Sequence, residues 1–264
     1  MILTYSLVGV ALLCAVHVFA HAMRFLEGTP RSRWLSFASG ISLAYVFLHF
    51  MPELAEGQEL AAEGALSLPF VEFELYGIAL IGLLAYYGME RLVQEDARMG
   101  RAETPDGTGK AEREPQGHGT FWVHLTSFAI YNLITGYLLV RRAEAEEPEA
   151  AGPLIYQAAD ASLLLFALAM ALHFVVTDYG LREDFREGWL RIGRWVLCLA
   201  VVAGWTIGVF VALPEIAVLG IIALLGGGVI LNVLKEELPA ERQSRFWALV
   251  TGAAAYAALL AFTH

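Results

Sequence analysis

The chain has 264 residues, 58% of them hydrophobic, a net charge of −10 and only two cysteines. That composition fits one apolar helical bundle and excludes a separate soluble domain, a disulfide framework or a thiol zinc site. No nucleophile elbow, phosphate loop or paired catalytic carboxylate is present, so a soluble-type enzyme is not expected, and neither is a nucleic-acid partner.

Eight apolar stretches follow one another, at about 2–22, 34–51, 75–89, 121–140, 154–177, 195–213, 216–234 and 246–264. A helix crossing the hydrocarbon core needs roughly 17 to 25 apolar residues. Most stretches meet that length; the third must borrow its flanks, from about 70 to 92. The expected fold class is an all-α polytopic membrane bundle of eight transmembrane helices. Residues 1–92 would hold helices 1–3, residues 93–120 a polar cytoplasmic linker, and residues 121–264 helices 4–8.

Fifteen of the 17 Lys and Arg residues fall in every second gap, among them Arg33, Arg91, Arg191 and Arg245. The other two are Arg141 and Arg142. The positive-inside bias puts those basic gaps in the cytoplasm and both termini outside, in a cell inner or plasma membrane. Acidic residues divide more evenly, fifteen inside and twelve outside, so the whole formal net charge of −10 resides outside. An acidic rim such as Glu53, Glu56, Glu59 and Glu63 concentrates cations at a mouth, or simply keeps a loop soluble.

Ionisable and polar residues within the spans are costly and are therefore functional candidates. Span 1 carries His17 and His21, four apart and on one helix face. Span 2 ends in His49, Pro52 and Glu53; span 4 carries His124, Ser127, Tyr131, Asn132 and Thr135. Span 5 carries Asp160, His173, Thr177 and Asp178. At a rise of about 1.5 Å per residue, His17, His21, His124 and His173 share the inner half, with Asp178 just below. His49 and Glu53 lie at the outer mouth, Asp160 below it, and Tyr131, Asn132 and Thr135 near mid-depth. Together they read as a string of N and O ligands from one face to the other. Imidazole with carboxylate suits zinc, iron(II) or manganese as a transported substrate, while copper(I) prefers sulfur. Each single histidine also has a plainer role, as a hydrogen-bonding tie between helices.

The string ASGISLAYVFLHFMPELAEG in span 2 resembles the second helix of the ZIP (Zrt-, Irt-like) metal transporters. LLAYYGMERLV in span 3 and GGGVILNVLKEELPAE in span 7 are similar to their counterparts there. The resemblance covers nearly the whole chain and implies a divalent-metal uptake protein, dimeric, with metal held between helices 4 and 5. In helix 4 the family's His-Asn-x-x-Asp-Gly is replaced by Tyr131, Asn132, Leu133, Ile134, Thr135, Gly136. In helix 5 its His-Glu-x-x-His-Glu is replaced by His173, Phe174, Val175, Val176, Thr177, Asp178. A binuclear site of the family's kind is therefore not expected; Tyr131, Asn132 and His173 would instead form a mononuclear one.

Spans 2 and 7 finish with similar Pro-Glu and Pro-Ala-Glu ends on opposite faces. That pattern predicts an inverted repeat of spans 1–3 against 6–8 around a central pair, a 3+2+3 arrangement. Two functions follow. The chain is either a ZIP-like carrier of a divalent metal, or a transport-inactive relative that acts as sensor, partner subunit or binder of another ligand such as haem.

Overall fold

The computed structural model describes residues 2–22, 32–63, 74–102, 118–145, 153–237 and 245–263. Among these the chain is helical apart from brief turns, and it contains no strand. A segment immersed in hydrocarbon must satisfy its own backbone hydrogen bonds, which an apolar run achieves as a helix.

Eight helices result among the described residues. They are α1 (Ile2–Phe19), α2 (Arg33–Tyr45, continued by Val46–Phe50 and Met51–Glu63), α3 (Glu74–Ala102) and α4 (His118–Ala145). Then come α5 (Pro153–Asp184), α6 (Arg186–Gly188, Trp189–Gly193 and Arg194–Phe210), α7 (Glu215–Glu237) and α8 (Phe246–Thr263). Four contain stretches long and apolar enough to cross a membrane: Arg33–Glu59, Phe121–Arg141, Leu163–Arg182 and Arg186–Phe210. The remaining four carry shorter apolar cores, such as Leu3–Phe19 and Ile216–Asn232. The whole is consistent with an integral membrane protein. Large apolar side chains face outward on several helices, for example Ile81 and Leu199, as a lipid-facing surface requires.

Two boundaries differ from the sequence expectation. Helix α3 continues through Ala102 and α4 begins at His118, so both enter the stretch read as linker. The polar residues 93–102 extend an existing helix, for which no new nucleus has to form. The rest of that linker lies outside the described residues. In α2 the segment Val46–Phe50 widens to a π-turn immediately before Pro52. Proline lacks an N–H and its ring crowds the carbonyl four residues back, and the wider turn relieves both conflicts.

Helices pair through glycine. A side chain at Gly136 on α4 would strike the Val201 carbonyl on α6, and one at Gly204 would strike the Leu133 carbonyl. Two backbones can approach this closely only where neither carries a Cβ. Gly40 with Gly252 joins α2 to α8 in the same reciprocal way, and Gly82 with Gly227 joins α3 to α7. Other contacts advance together along both chains, Leu133 with Gly204 then Tyr137 with Gly208, Ser36 with Arg245 then Gly40 with Leu249, and Ile78 with Gly220 then Gly82 with Leu224, so the partners run parallel. Parallel partners must be separated by an even number of crossings, which these are.

Packing sorts the helices into two groups of four. One comprises α1, α4, α5 and α6; the other comprises α2, α3, α7 and α8, and α2 against α5 is the main joint between them. The largest buried cluster spans both groups through Tyr45, Phe50, Tyr131, Phe166, Phe174 and Tyr256. A second cluster surrounds the fully buried Trp189, with Phe121, Leu125, Phe185 and Leu197, and ties the start of α4 to the start of α6.

Candidate functional site

The first group encloses a polar cluster drawn from three helices. His17 on α1 places Nδ1 2.8 Å from Oδ2 of Asp178 on α5, and Nε2 2.7 Å from Oδ1 of Asn132 on α4. All three residues are buried. The Asn132 amide is oriented by its Nδ2, which donates to the Phe128 carbonyl at 2.8 Å. Both ring nitrogens of His17 therefore face oxygen atoms. Either an imidazolium donates to both an Asp178 carboxylate and Asn132, or a protonated Asp178 donates to Nδ1 while Nε2–H donates to Asn132. The two arrangements hold the same number of protons and carry no net charge, which suits a bundle interior.

Aromatic rings frame the cluster. His17 stacks on Phe174 with centroids 5.0 Å apart. The buried His173 ring lies 5.6 Å from Tyr131 and 6.2 Å from Phe174. Tyr131 in turn meets Tyr86 edge-on at 6.3 Å and donates its hydroxyl hydrogen toward the Met170 sulfur at 3.7 Å. Asn132 thus turns to His17 on α1, where the sequence reading paired it with His173. The reason is geometric: the Asn132 amide, anchored to its own helix, presents its free oxygen where α1 passes.

The other candidates are placed as follows. His49 sits in the π-turn of α2, half-buried and stacked on Tyr45 at 5.4 Å. Glu53 is half-buried one turn further on. Between this end and the cluster lie Tyr45, Phe166, Met170 and Tyr131, which line a small apolar void of about 20 Å³. Tyr131, one of the expected ligands, thus packs with Tyr45 in the joint between the groups. His21 falls in a tight 3-10 turn, Ala20–Ala22, and its side chain lies outside the described residues, as does that of Asp160.

His124 is half-buried, 5.6 Å from the Phe185 ring. It lines a cavity of about 50 Å³ between the two groups, together with Tyr86, Ser127, Thr177, Asn232 and Lys235. Phe128, whose carbonyl accepts from Asn132 Nδ2, also lines this cavity. A space of that size holds a few waters or a partly hydrated ion. The Asn232 Nδ2 is buried there with no hydrogen-bond partner among the described residues. Among those residues, no group of three or more His, Cys, Asp or Glu side chains is arranged to hold a metal ion.

Two pairings were not visible in the sequence. Cys14 on α1 and Cys198 on α6 face each other, each thiol pointing at the other's carbonyl at 3.8 and 3.6 Å. Trp205 of α6 donates to Ser6 Oγ of α1 at 3.0 Å. Matching depth could have flagged Cys14, but nothing in the sequence selects α6 as its neighbour. No family model matches the chain, and no curated protein matches it.

Proposed function

We propose that the chain is a ZIP-like integral membrane carrier that moves a divalent metal cation, zinc, iron(II) or manganese, toward the cytoplasm. The observation that carries this reading is the buried His17–Asp178–Asn132 cluster, since ionisable groups inside a membrane bundle usually line a substrate path. His17, Asp178 and Asn132 would hold the ion, with His173 and Tyr131 above. His49 and Glu53 would receive it at the acidic mouth. His124 and His21 would pass it on through the cavity that His124 lines.

Movement would come from α1, α4, α5 and α6 rocking against α2, α3, α7 and α8, with the α2–α5 contact as the joint. An inverted 3+2+3 repeat would provide such a motion. Exchanging helix 1 with 6, 2 with 7, 3 with 8 and 4 with 5 converts the α2–α8 pair into α7–α3, and α1–α5 into α6–α4. The sequence carries the same relation: Gly40 precedes Pro52 by the interval that separates Gly227 from Pro239, and Gly82 precedes Tyr86 as Gly252 precedes Tyr256. The ZIP resemblance itself rests on the strings in spans 2, 3 and 7.

Reconstituted liposomes loaded with a metal-sensitive dye test the proposal. Influx of at least one of Zn²⁺, Fe²⁺ or Mn²⁺, abolished by Asp178→Asn, is expected; no influx of any of them defeats it. A second reading is favoured by the mutual satisfaction of the cluster's hydrogen bonds. In it the chain no longer transports, the cluster is a tie between α1, α4 and α5, and another ligand such as haem is bound. Visible absorbance and elemental analysis of the purified protein separate the two.

A further inference from the structure

At the end where α2 and α8 begin, an open groove of about 720 Å³ runs between their first turns. It is lined by Arg33 and Arg245 and by the aromatic rings of Trp34, Phe37, Phe246 and Trp247. Both guanidinium groups are exposed, and among the described residues no carboxylate is ion-paired with either. The tryptophans are exposed too, Trp34 to 64% and Trp247 to 75%.

Three features of this groove favour one kind of occupant. The two arginines present forked donors that match phosphate oxygens in pairs. The parallel α2–α8 pair opens both helix N-termini, with their positive dipole ends, toward the same space; of their N–H groups, that of Arg245 is engaged by Ser36 Oγ at 3.1 Å. Exposed indole rings prefer the headgroup level of a bilayer, where an apolar face and a polar edge are both satisfied. A free anion would use the arginines but would leave the aromatic rim without a role. A lipid uses both.

We propose that the groove between the first turns of α2 and α8 binds an anionic phospholipid, its phosphate between Arg33 and Arg245 and its upper acyl region against Trp34, Phe37 and Trp247. The inference rests on the membrane reading of the fold and is independent of any metal carried. Arg33 and Arg245 belong to the gaps that the charge asymmetry assigns to the cytoplasm, and basic clefts between helices on that face are where anionic headgroups are recognised.

The test is native mass spectrometry of the full chain released from detergent, titrated with phosphatidylglycerol, phosphatidylcholine or inorganic phosphate. Phosphatidylglycerol is expected to bind about tenfold or more tightly than phosphatidylcholine, and R33Q/R245Q to weaken it about tenfold or more. The control R186Q/R191Q removes the same charge from exposed positions at the start of α6 and is expected to leave binding within about twofold. Circular dichroism verifies that each variant folds. Ala248→Glu, which places a carboxylate in the groove, provides an independent change and is expected to abolish phosphatidylglycerol binding. Equal losses in R33Q/R245Q and R186Q/R191Q overturn the site. So does competition by inorganic phosphate at concentrations equal to the lipid, or a lipid-free dimer that R33Q/R245Q dissociates.

Discussion

The Nδ1 atom of His17 lies 2.8 Å from Oδ2 of Asp178, and the two side chains are 0% and 2% exposed. Removing one partner of such a pair leaves the other buried without compensation, at a cost of about 3–5 kcal/mol. His17→Leu and Asp178→Leu are each expected to lower the melting temperature strongly in detergent. The double variant should recover much of the loss, because no orphaned charge remains. Additive effects of the single changes would mean the pair is not coupled.

A metal ion that enters between these residues must displace the proton they share. Binding of one M²⁺ is then expected to release about one proton in weakly buffered titration. Asp178→Asn should remove both the binding and the release. Tight binding without proton release would place the metal elsewhere.

Glycine positions divide into two classes. At Gly136 and Gly204 an added methyl meets backbone of the facing helix, whereas at Gly77 and Gly88 it meets nothing within 4 Å. Gly136→Ala is expected to destabilise by about 1–3 kcal/mol through forced separation of α4 and α6. Gly88→Ala should be neutral or should stabilise by up to about 1 kcal/mol through helix propensity. Thermal melts of the two variants check this, and a Gly136→Ala protein as stable as the parent would refute the close packing.

Cys14 and Cys198 offer a chemical probe of the α1–α6 contact. Treatment with diamide is expected to consume both thiols together, each pair yielding two electrons and two protons to the oxidant and forming one disulfide. Alkylation after unfolding then finds neither thiol, while Cys14→Ser leaves Cys198 reactive. Independent loss of the two thiols would separate α1 from α6.

Much of this was legible in the residues. Eight apolar runs translate directly into eight helices, because hydrocarbon allows no other use of a long apolar segment. Relative depth was legible as well: residue counts put His17 and Asp178 at nearly the same level, and the two meet. Their contact was not. A helix of uniform hydrophobicity, such as α1, carries no amphipathic signal to show which face meets which neighbour. Asn132 illustrates the consequence: its helix was known, but not that its amide oxygen meets His17 on α1.

What the chain determined by itself is therefore one-dimensional: the number of helices, their alternation, and the height of each polar group along them. Charge and hydropathy act on every segment independently, so these properties can be read segment by segment. The choice of α1, α4, α5 and α6 as one group belongs to the tertiary structure, as do the meeting of His17 with Asp178 and the packing of Tyr45 with Tyr131 in the joint between the groups. Lipid is as apolar as the helices, so no hydrophobic drive selects among neighbours; backbone approach at Gly136 and Gly204 and the pairing of a few buried polar groups make that selection.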